Sequence, residues 1–435
     1  MQTLSQEVAP PALPAASIGI AAFSTIVEWY DFTLYLYLAS VLSRVFFGGG
    51  AWALASTLGG FAIAYLMRPL GAAILGHYGD RLGRRRMMLV SMALMSVCML
   101  ATALLPTYAQ IGPAAGVLLL LLRCGMAFSV GAEYTGVVAY LVEGAPPLRR
   151  GLIASLAAAA SEAGGLLAAG VSALVLVLVT PADLDSWGWR IPFFVGAALA
   201  GGVLLARSSM QESPAFARHS ASGRIWNAPL RTVIRQQRAG VARGFAISAL
   251  GSVTYYIGIT YVPAFLVSTG AAEETEALRL ATAAALVVML VTPAFGILSD
   301  RVGRKPVLIG LAIAAVLVPT SMFVLMARGS AVDVLIGALV LAALGGGVSA
   351  VGAVATAEQL PLEGRLSGLA LGATSATVIF GGLAPYVSQL LLQHLRSPLV
   401  PGVMISLVAA AFLPVLWTMP ESCPSHAKRG NALDL

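Results

Sequence analysis

Long apolar runs follow one another along almost the whole chain, and they restrict its fold more than any other feature. A typical run is "LVSMALMSVCMLATALL", which begins at Leu89. A helix needs about 20 such residues to cross a bilayer. Of the 435 residues, 58% are hydrophobic and only 10% are charged, whereas soluble domains carry about 25% charged residues. A soluble core cannot bury that much apolar surface, so we expect an all-α membrane protein.

The apolar runs divide into twelve predicted transmembrane helices, separated into two groups of six by one polar segment. The predicted helices are 17–44, 52–77, 87–107, 112–143, 150–180, 188–208, 241–269, 275–299, 305–327, 331–358, 364–394 and 398–419. The expected organisation is an N-terminal six-helix bundle at 1–208, a central loop at 209–240, a C-terminal six-helix bundle at 241–420 and a short tail at 421–435.

The positions of Lys and Arg predict how the chain is oriented. Cations gather in alternate loops, at Arg81, at Arg149 and along the central segment, whereas the other loops carry acids such as Asp183 and Glu273. Loops rich in Lys and Arg remain on the cytoplasmic side of a membrane. We therefore expect both termini inside, in a multi-pass protein of the plasma membrane, most simply a bacterial inner membrane. The net charge of +7 then reflects topology and gives no reason to expect a nucleic-acid partner.

One basic motif occurs twice, once in each half of the chain. Each copy lies between the second and third predicted helices of its half, which indicates an internal repeat. Glycine permits a tight turn there, and the aspartate can cap or pair with a neighbouring helix end. We expect both loops to act in conformational switching. Their matching residues are Gly76, Asp80, Arg81, Gly83, Arg84 and Arg85 in the first copy, and Gly296, Asp300, Arg301, Gly303, Arg304 and Lys305 in the second.

This pair of motifs resembles the signature of the major facilitator superfamily. Further stretches resemble its metabolite:proton symporters, namely "VEWYDFTLYLY" at Val27, "YLMRPLGAAILGHYGDRLGRRR" at Tyr65, "FSVGAEYTGVVAYLVEGAPPLRRG" at Phe128, "WGWRIPFFVG" at Trp187 and "ESPAF" at Glu212. The resemblance implies the major facilitator fold, in which two six-helix bundles rock around a central site. It also implies proton-driven uptake of an osmolyte such as proline or glycine betaine, or of an organic acid. We expect a monomer with no cofactor other than the proton gradient.

Ionisable residues inside a membrane are costly and tend to face the interior of the bundle. Counted along ideal helices, Asp31 and Arg123 lie about 20 Å and 16 Å from the outer helix ends, so the two can pair. Separation of such a pair would let the acid take up a proton, and sugar–proton symporters resemble this arrangement. The alternative is a static pair that only fixes helix packing. The further candidates for proton coupling are Glu28, Glu162 and Glu133.

The sequence says less about the identity of the transported substrate, the cargo, than it says about the fold. The last six helices contain almost no interior charge, so a monocarboxylate or zwitterion fits better than citrate. Arg68 either extends to the membrane interface or joins the site. Aromatic faces can hold a quaternary ammonium group, although aromatic residues also serve as packing. The candidate substrate-binding residues are Arg123, Trp29, Tyr30, Tyr134, Tyr255 and Tyr256.

The same sequence features distinguish uptake by a symporter from other classes of function. A proton-driven efflux antiporter of a drug or secreted metabolite has the same fold and is the alternative. Such antiporters usually carry a proline in a glycine-rich motif of the fifth helix, and "SEAGGLLAAG" lacks it. An enzyme is disfavoured, because no pattern resembles a nucleophile with its base or a nucleotide-binding loop. The cysteines Cys98, Cys124 and Cys423 are scattered, so no metal site is expected.

Overall fold

The computed structural model describes residues 13–49, 51–223 and 229–423, and these form helices joined by short turns, with no β-strand among them. Four parts of the predicted organisation lie outside the described residues. They are 1–12 and 50 of the N-terminal bundle, 224–228 of the central loop and 424–435 of the tail.

The N-terminal half contains six helical passages, which we number α1 to α6. They are α1 (Ala15–Tyr37, resuming as Ala39–Phe47), α2 (Ala51–Tyr65, resuming as Met67–Leu82), α3 (Arg84–Leu104), α4 (Ala114–Val130, resuming as Glu133–Gly144), α5 (Arg150–Leu178) and α6 (Arg190–Ser208). The central loop contains two short helices, Pro214–Ala221 and Pro229–Gln236.

The C-terminal half repeats this order as α7 to α12. The passages are α7 (Arg238–Tyr255, with a π-helical turn Tyr256–Thr260 and then Val262–Thr269), α8 (Glu274–Val302), α9 (Arg304–Met326), α10 (Ala331–Glu358), α11 (Leu362–Leu395, with π-helical turns inside it) and α12 (Val400–Thr418).

Length and composition agree with a membrane location. Within the described residues, nine helices are long and apolar enough to cross a membrane, and α7 makes a tenth when its two parts, bent by 44°, are taken as one span. The passages α1 and α2, each interrupted at a single residue, complete the series of twelve. The predicted all-α fold with twelve helices is therefore confirmed. The interruptions within α1, α2, α4 and α7 were not predicted.

Glycines permit the closest helix crossings. A Cβ atom added to Gly71 of α2 would lie 1.8 Å from the carbonyl oxygen of Phe128 in α4, and one added to Gly131 would lie 2.1 Å from that of Arg68. Between the halves, a Cβ atom on Gly296 of α8 would lie 2.7 Å from the carbonyl oxygen of Gly151 in α5. These backbones are in contact, so no larger side chain fits without moving a helix.

Each half has its own apolar core, and a third cluster joins the halves. The first core includes Trp189 and Phe193, and the second includes Phe265 and Phe323. The joint cluster packs Met87, Tyr140 and other N-terminal residues against Leu360, Leu366 and Leu369. It lies on the side of the molecule that carries the loops at 76–85 and 296–305, which we call the basic face.

Candidate functional site

A cavity of about 190 Å³ lies between the two halves. Its charged lining residues are Glu28, Arg68 and Glu162, and its aromatic lining residues are Trp29, Tyr134, Tyr255 and Tyr256. The C-terminal half contributes small and hydroxylated residues such as Ser248, Ser349 and Thr374. A site of this size is below the range of about 300–1,000 Å³ that is typical of drug-sized ligands. The cavity is therefore suited to a small molecule.

Glu28 and Arg68 form a loose pair on the wall of this cavity. An Arg68 nitrogen, Nη1, lies 3.7 Å from Oε1 of Glu28. The guanidinium carbon lies 4.5 Å from the ring centre of Tyr65 and 5.5 Å from that of Phe32. Oε2 of Glu28 is buried and has no hydrogen-bond partner among the described residues. Of the two alternatives for Arg68, the structure shows the one in which it joins the site.

Asp31 and Arg123 form a tight pair deeper in the N-terminal half. Nη2 of Arg123 donates to both carboxylate oxygens of Asp31 at 2.7 Å, and both side chains are buried. The guanidinium also lies 4.9 Å from the ring centre of Tyr35. The predicted pairing is confirmed. The pair does not line the larger cavity but a neighbouring one of about 30 Å³, which Glu28 and Arg68 also line.

Tyrosine hydroxyls connect the halves beside the cavity. The hydroxyl of Tyr255 in α7 donates to Oε1 of Glu162 in α5 at 2.6 Å. The hydroxyls of Tyr65 in α2 and Tyr256 in α7 are 3.0 Å apart. The Tyr255 ring also packs at 5.5 Å against both Trp29 and Tyr256. These aromatic residues form a continuous layer from Glu162 to Arg68.

Two candidates line neither of these cavities. The Tyr30 hydroxyl points into the core of its own half and donates to the carbonyl oxygen of Pro192 at 2.8 Å. Glu133 is fully buried, where its carboxylate accepts hydrogen bonds from Arg207 and from Ser91. The geometry thus gives Tyr30 and Glu133 packing partners rather than access to a ligand.

Sequence reasoning missed Tyr65 and Arg207. Arg207 is 1% exposed, although its place near the end of an apolar helix is typical of a basic residue at the membrane surface. Tyr65 stands in an apolar stretch, three residues before Arg68. The contact of Tyr65 with Arg68 is local, since the two residues lie three apart in α2. The contacts of Tyr65 with Tyr256 and of Arg207 with Glu133 depend on how distant helices cross, so no local signal could have shown them.

On the basic face, the two motif aspartates cap helices of the opposite half. The Asp80 carboxylate accepts hydrogen bonds from the backbone N–H groups of Leu366 at 3.2 Å and Ser367 at 2.8 Å, at the start of α11. The Asp300 carboxylate accepts from those of Gly151 at 2.8 Å and Leu152 at 2.9 Å, at the start of α5. A negative charge is favourable at a helix N-terminus. The predicted capping is confirmed, and it joins the halves.

The motif arginines Arg84 and Arg304 are buried beside these caps. Arg84 lies 3.0 Å from Glu143 at the end of α4, and Arg304 lies 3.2 Å from Glu358 at the end of α10. Each glutamate also meets an arginine of the other half. Arg365 is 3.1 Å from Glu143, and Arg150 is 3.7 Å from Glu358. Ion pairs thus hold the halves together on the basic face.

A second acidic residue accepts hydrogen bonds from the backbone of each basic loop. Gly83 and Gly303 have φ values of 111° and 112°, a conformation that favours glycine. Beyond them, the Glu212 carboxylate accepts from the backbone N–H of Arg84 at 3.0 Å, and Glu421 accepts from that of Arg304 at 2.9 Å. Sequence reasoning did not assign a role to these acids, although an "ES" pair follows both the sixth and the twelfth helix.

The remaining motif residues occupy matching positions. Arg81 and Arg301 are exposed, and Arg85 and Lys305 are partly buried. The backbone N–H of Arg85 donates to Glu212 and that of Lys305 donates to Glu421. A Cβ atom on Gly76 would lie 3.0 Å from the carbonyl oxygen of Leu366. Gly76 therefore belongs to the contact between α2 and α11, as Gly296 belongs to that between α8 and α5.

Two repeated six-helix halves, a cavity between them and matching contacts on one face together define a secondary transporter of the major facilitator type. The sequence pattern of the family described as "Sugar (and other) transporter" matches residues 18–224 and 217–426. The chain therefore belongs to this family of the major facilitator superfamily, whose members are transporters and not enzymes.

Similar proteins agree with this assignment. The chain is 34% identical over 437 residues to the ectoine/proline transporter ProP of Corynebacterium glutamicum, covering 95% of this chain and 86% of that one. It is 33% identical over 380 residues to the alpha-ketoglutarate permease of Escherichia coli strain K12, covering 85% of each. The solved structure of the proton:xylose symporter XylE bound to 6-bromo-6-deoxy-D-glucose has a TM-score of 0.76 at 17% identity, covering 93% of this chain and 96% of that one. This last likeness concerns the fold.

Proposed function

We propose that the chain is a proton-coupled symporter that takes up a small polar metabolite bearing a carboxylate. Its basic face is cytoplasmic in a bacterial inner membrane, with both termini inside. Residues 1–208 and 241–420 act as two bodies that rock about the cavity, connected by the segment 209–240. The transporter works as a monomer, and the proton gradient is its source of energy. The names of the two relatives, one for a zwitterion and one for an organic acid, support a cargo of this kind.

The observation that carries this proposal is the ion pair between Asp31 and Arg123. Both groups are buried in the membrane interior, where an ionisable residue is costly and tends to be functional. An isolated buried carboxylate is unfavourable as an anion, so Asp31 takes up a proton when Arg123 moves away. Their small cavity is shared with Glu28 and Arg68, which line the larger one. A cargo bound to Arg68 therefore acts on the coupling pair through adjacent charges.

The contacts on the basic face support alternating access. They hold α5 to α8 and α2 to α11, and the apolar cluster around Leu366 fills the space beneath the cavity. We assign this arrangement to the state that is closed to the cytoplasm. Release of cargo then requires these ion pairs and caps to separate as the halves rock.

The proposal is tested by Asp31→Asn in proteoliposomes supplied with proline, glycine betaine or 2-oxoglutarate under an imposed pH gradient. Asn keeps the size of the side chain and cannot titrate. Accumulation driven by the gradient should vanish, while exchange between equal concentrations persists, because rocking itself needs no net proton movement. Asp185→Asn is the matched control, since Asp185 is exposed and pairs with Arg44 at the surface. It should accumulate cargo like the wild type.

The readout is lumen pH recorded together with labelled cargo. If Asp31→Asn still acidifies the lumen in step with cargo, Asp31 is not the coupling residue, and Glu28 and Glu162 are the next variants to measure. If wild-type vesicles move cargo without protons, the symport proposal itself fails. Arg123→Lys keeps the charge but loses the planar fork that grips a carboxylate, so it should impair coupling as well.

A further inference from the structure

Within the described part of the chain, the cavity contains one carboxylate, that of Glu162, that no cation neutralises. Glu162 is 8% exposed, lines the cavity and accepts a hydrogen bond from the Tyr255 hydroxyl at 2.6 Å. Among the residues that the structure describes, no ion pair within 4.0 Å involves this carboxylate. The other interior acids each have an arginine, since Glu28 lies beside Arg68 and Asp31 beside Arg123. Glu162 therefore has no cationic partner in the ranges 13–49, 51–223 and 229–423.

Aromatic surfaces adjoin this carboxylate. The Tyr255 ring lies 5.5 Å from Trp29 with the planes at 67°, so the two rings form a corner beside the cavity. Nε1 of Trp29 has no hydrogen-bond partner among the described residues. A cation is attracted both to a desolvated carboxylate and to the face of Trp or Tyr. The chemistry of this corner selects a positively charged group.

A positively charged side chain, that of Arg68, lies elsewhere on the cavity wall. Arg68 is the cavity's cation, and its contact with Glu28 is only a loose 3.7 Å. A carboxylate on the cargo can therefore compete for this guanidinium. The cavity thus offers an anionic and a cationic recognition point connected by the tyrosine layer.

We propose that Glu162, with the rings of Trp29 and Tyr255, is the subsite for the cationic nitrogen of a zwitterionic cargo whose carboxylate faces Arg68. This inference rests on the proposed uptake of a carboxylate-bearing metabolite and narrows it. Two acids and one arginine line the cavity, so a second or third carboxylate on the cargo would face like charge. The same residues that bind a zwitterion thus exclude di- and tricarboxylates.

The test uses a pair of compounds with the same shape and carboxylate. Glycine betaine carries a trimethylammonium group, and 3,3-dimethylbutyrate carries a tert-butyl group in its place. Their affinities are measured by calorimetry on the purified full chain in lipid nanodiscs. We expect the wild type to prefer glycine betaine by about tenfold or more, since a desolvated cation gains from the carboxylate and the rings. Glu162→Gln should remove most of this preference while still binding 3,3-dimethylbutyrate.

The matched control is Asp185→Asn, which neutralises an acid at the surface, paired with Arg44 and away from the cavity, and should retain the preference for the ammonium compound. Glu162→Asp keeps the charge and should retain part of it, which separates loss of charge from loss of fold. An equal preference in the wild type and Glu162→Gln overturns the inference. So does loss of the preference in Asp185→Asn, or binding of neither compound by the wild type. Missing proton movement in vesicles instead overturns the symport proposal and leaves this affinity ratio unaffected.

Discussion

In the N-terminal half, Asp31 and Arg123 are paired inside the membrane and Glu162 faces the cavity, whereas the C-terminal half lines the same cavity with residues such as Ser349, Gly352 and Thr374. On the basic face, this difference between the halves disappears. Asp80 and Asp300 cap helices of the opposite half in the same way, and Arg84 and Arg304 pair with the glutamates that end α4 and α10.

The difference reflects two separate requirements. Rocking needs matching contacts where both halves meet, so each half keeps its own copy of the loop. Recognition of a cargo and of a proton needs only one set of charged groups, and each further buried charge is costly. Among the described residues, the contacts of the basic face are therefore repeated, whereas the charged residues that line the cavity all lie in the N-terminal half. The following predictions test where this division holds.

The largest effect is expected where the two basic-face networks differ in strength. Glu143 meets two arginines, Arg84 at 3.0 Å and Arg365 at 3.1 Å, and its side chain is 1% exposed. Glu358 meets Arg304 at 3.2 Å, while its second partner, Arg150, is 3.7 Å away and 27% exposed. Removing one member of a buried pair costs about 3–5 kcal/mol. Glu143→Gln should therefore lower the melting temperature more than Glu358→Gln does.

Thermal unfolding of both variants in the same detergent checks this order. Glu143→Gln should also increase labelling of a cysteine placed at Leu369, since loosening the basic face opens the cavity toward that side. Equal melting temperatures would show that the difference in ion-pair distances does not change stability. The two networks would then contribute equally.

A smaller effect is expected at the motif aspartates. Asp80→Asn or Asp300→Asn keeps an acceptor for one backbone N–H and loses the charge that favours a helix N-terminus, a change of about 0.5–2 kcal/mol for a capping residue. Turnover should fall by about tenfold, which corresponds to about 1.4 kcal/mol. The affinity for cargo should change little, because both caps lie on the basic face and not in the cavity.

Uptake rates and equilibrium binding, measured on the same preparation, separate the two quantities. Since the caps are equivalent, the single variants should be impaired alike. If only one variant is impaired, the two loops have the same structure, but only one of them contributes to the conformational change. If both transport at the wild-type rate, the loops serve only as topology signals.

The sequence predicted those parts that depend on pattern along one helix or one loop. The long apolar runs predict the twelve helices. The repeated motif predicts the caps, because Asp80 and Asp300 have the same position relative to their helix ends. The pair of Asp31 and Arg123 was also predictable, since depth in a membrane follows from residue count along a helix.

The remaining contacts depend on how helices cross. Arg68 of α2 lies beside Glu28 of α1, and Glu133 of α4 is paired with Arg207 of α6. Depth alone does not distinguish Tyr30, which faces its own core, from Trp29, which faces the cavity, because adjacent residues on a helix point in different directions. The rotation of each helix about its axis is set by packing, which one sequence pattern does not determine.

The smallest effect is expected from reporter fusions, which change no residue of the site and test whether the two basic loops share one side of the membrane. Reporters active only in the cytoplasm, attached to chains ending after Ser220 or Glu363, should give signal. Those ending after Asp183 or Gly329 should give none, because these positions lie at the opposite helix ends in the two halves. The basic loops hold Arg84 to Arg86 and Arg304, and such residues stay inside.

A reversed pattern would place the basic face outside, so the closed side would be extracellular and the ion pairs would hold an outer gate. A pattern reversed in one half alone would mean that the repeat does not form a pair of parallel bundles, which would contradict the caps of Asp80 on α11 and of Asp300 on α5.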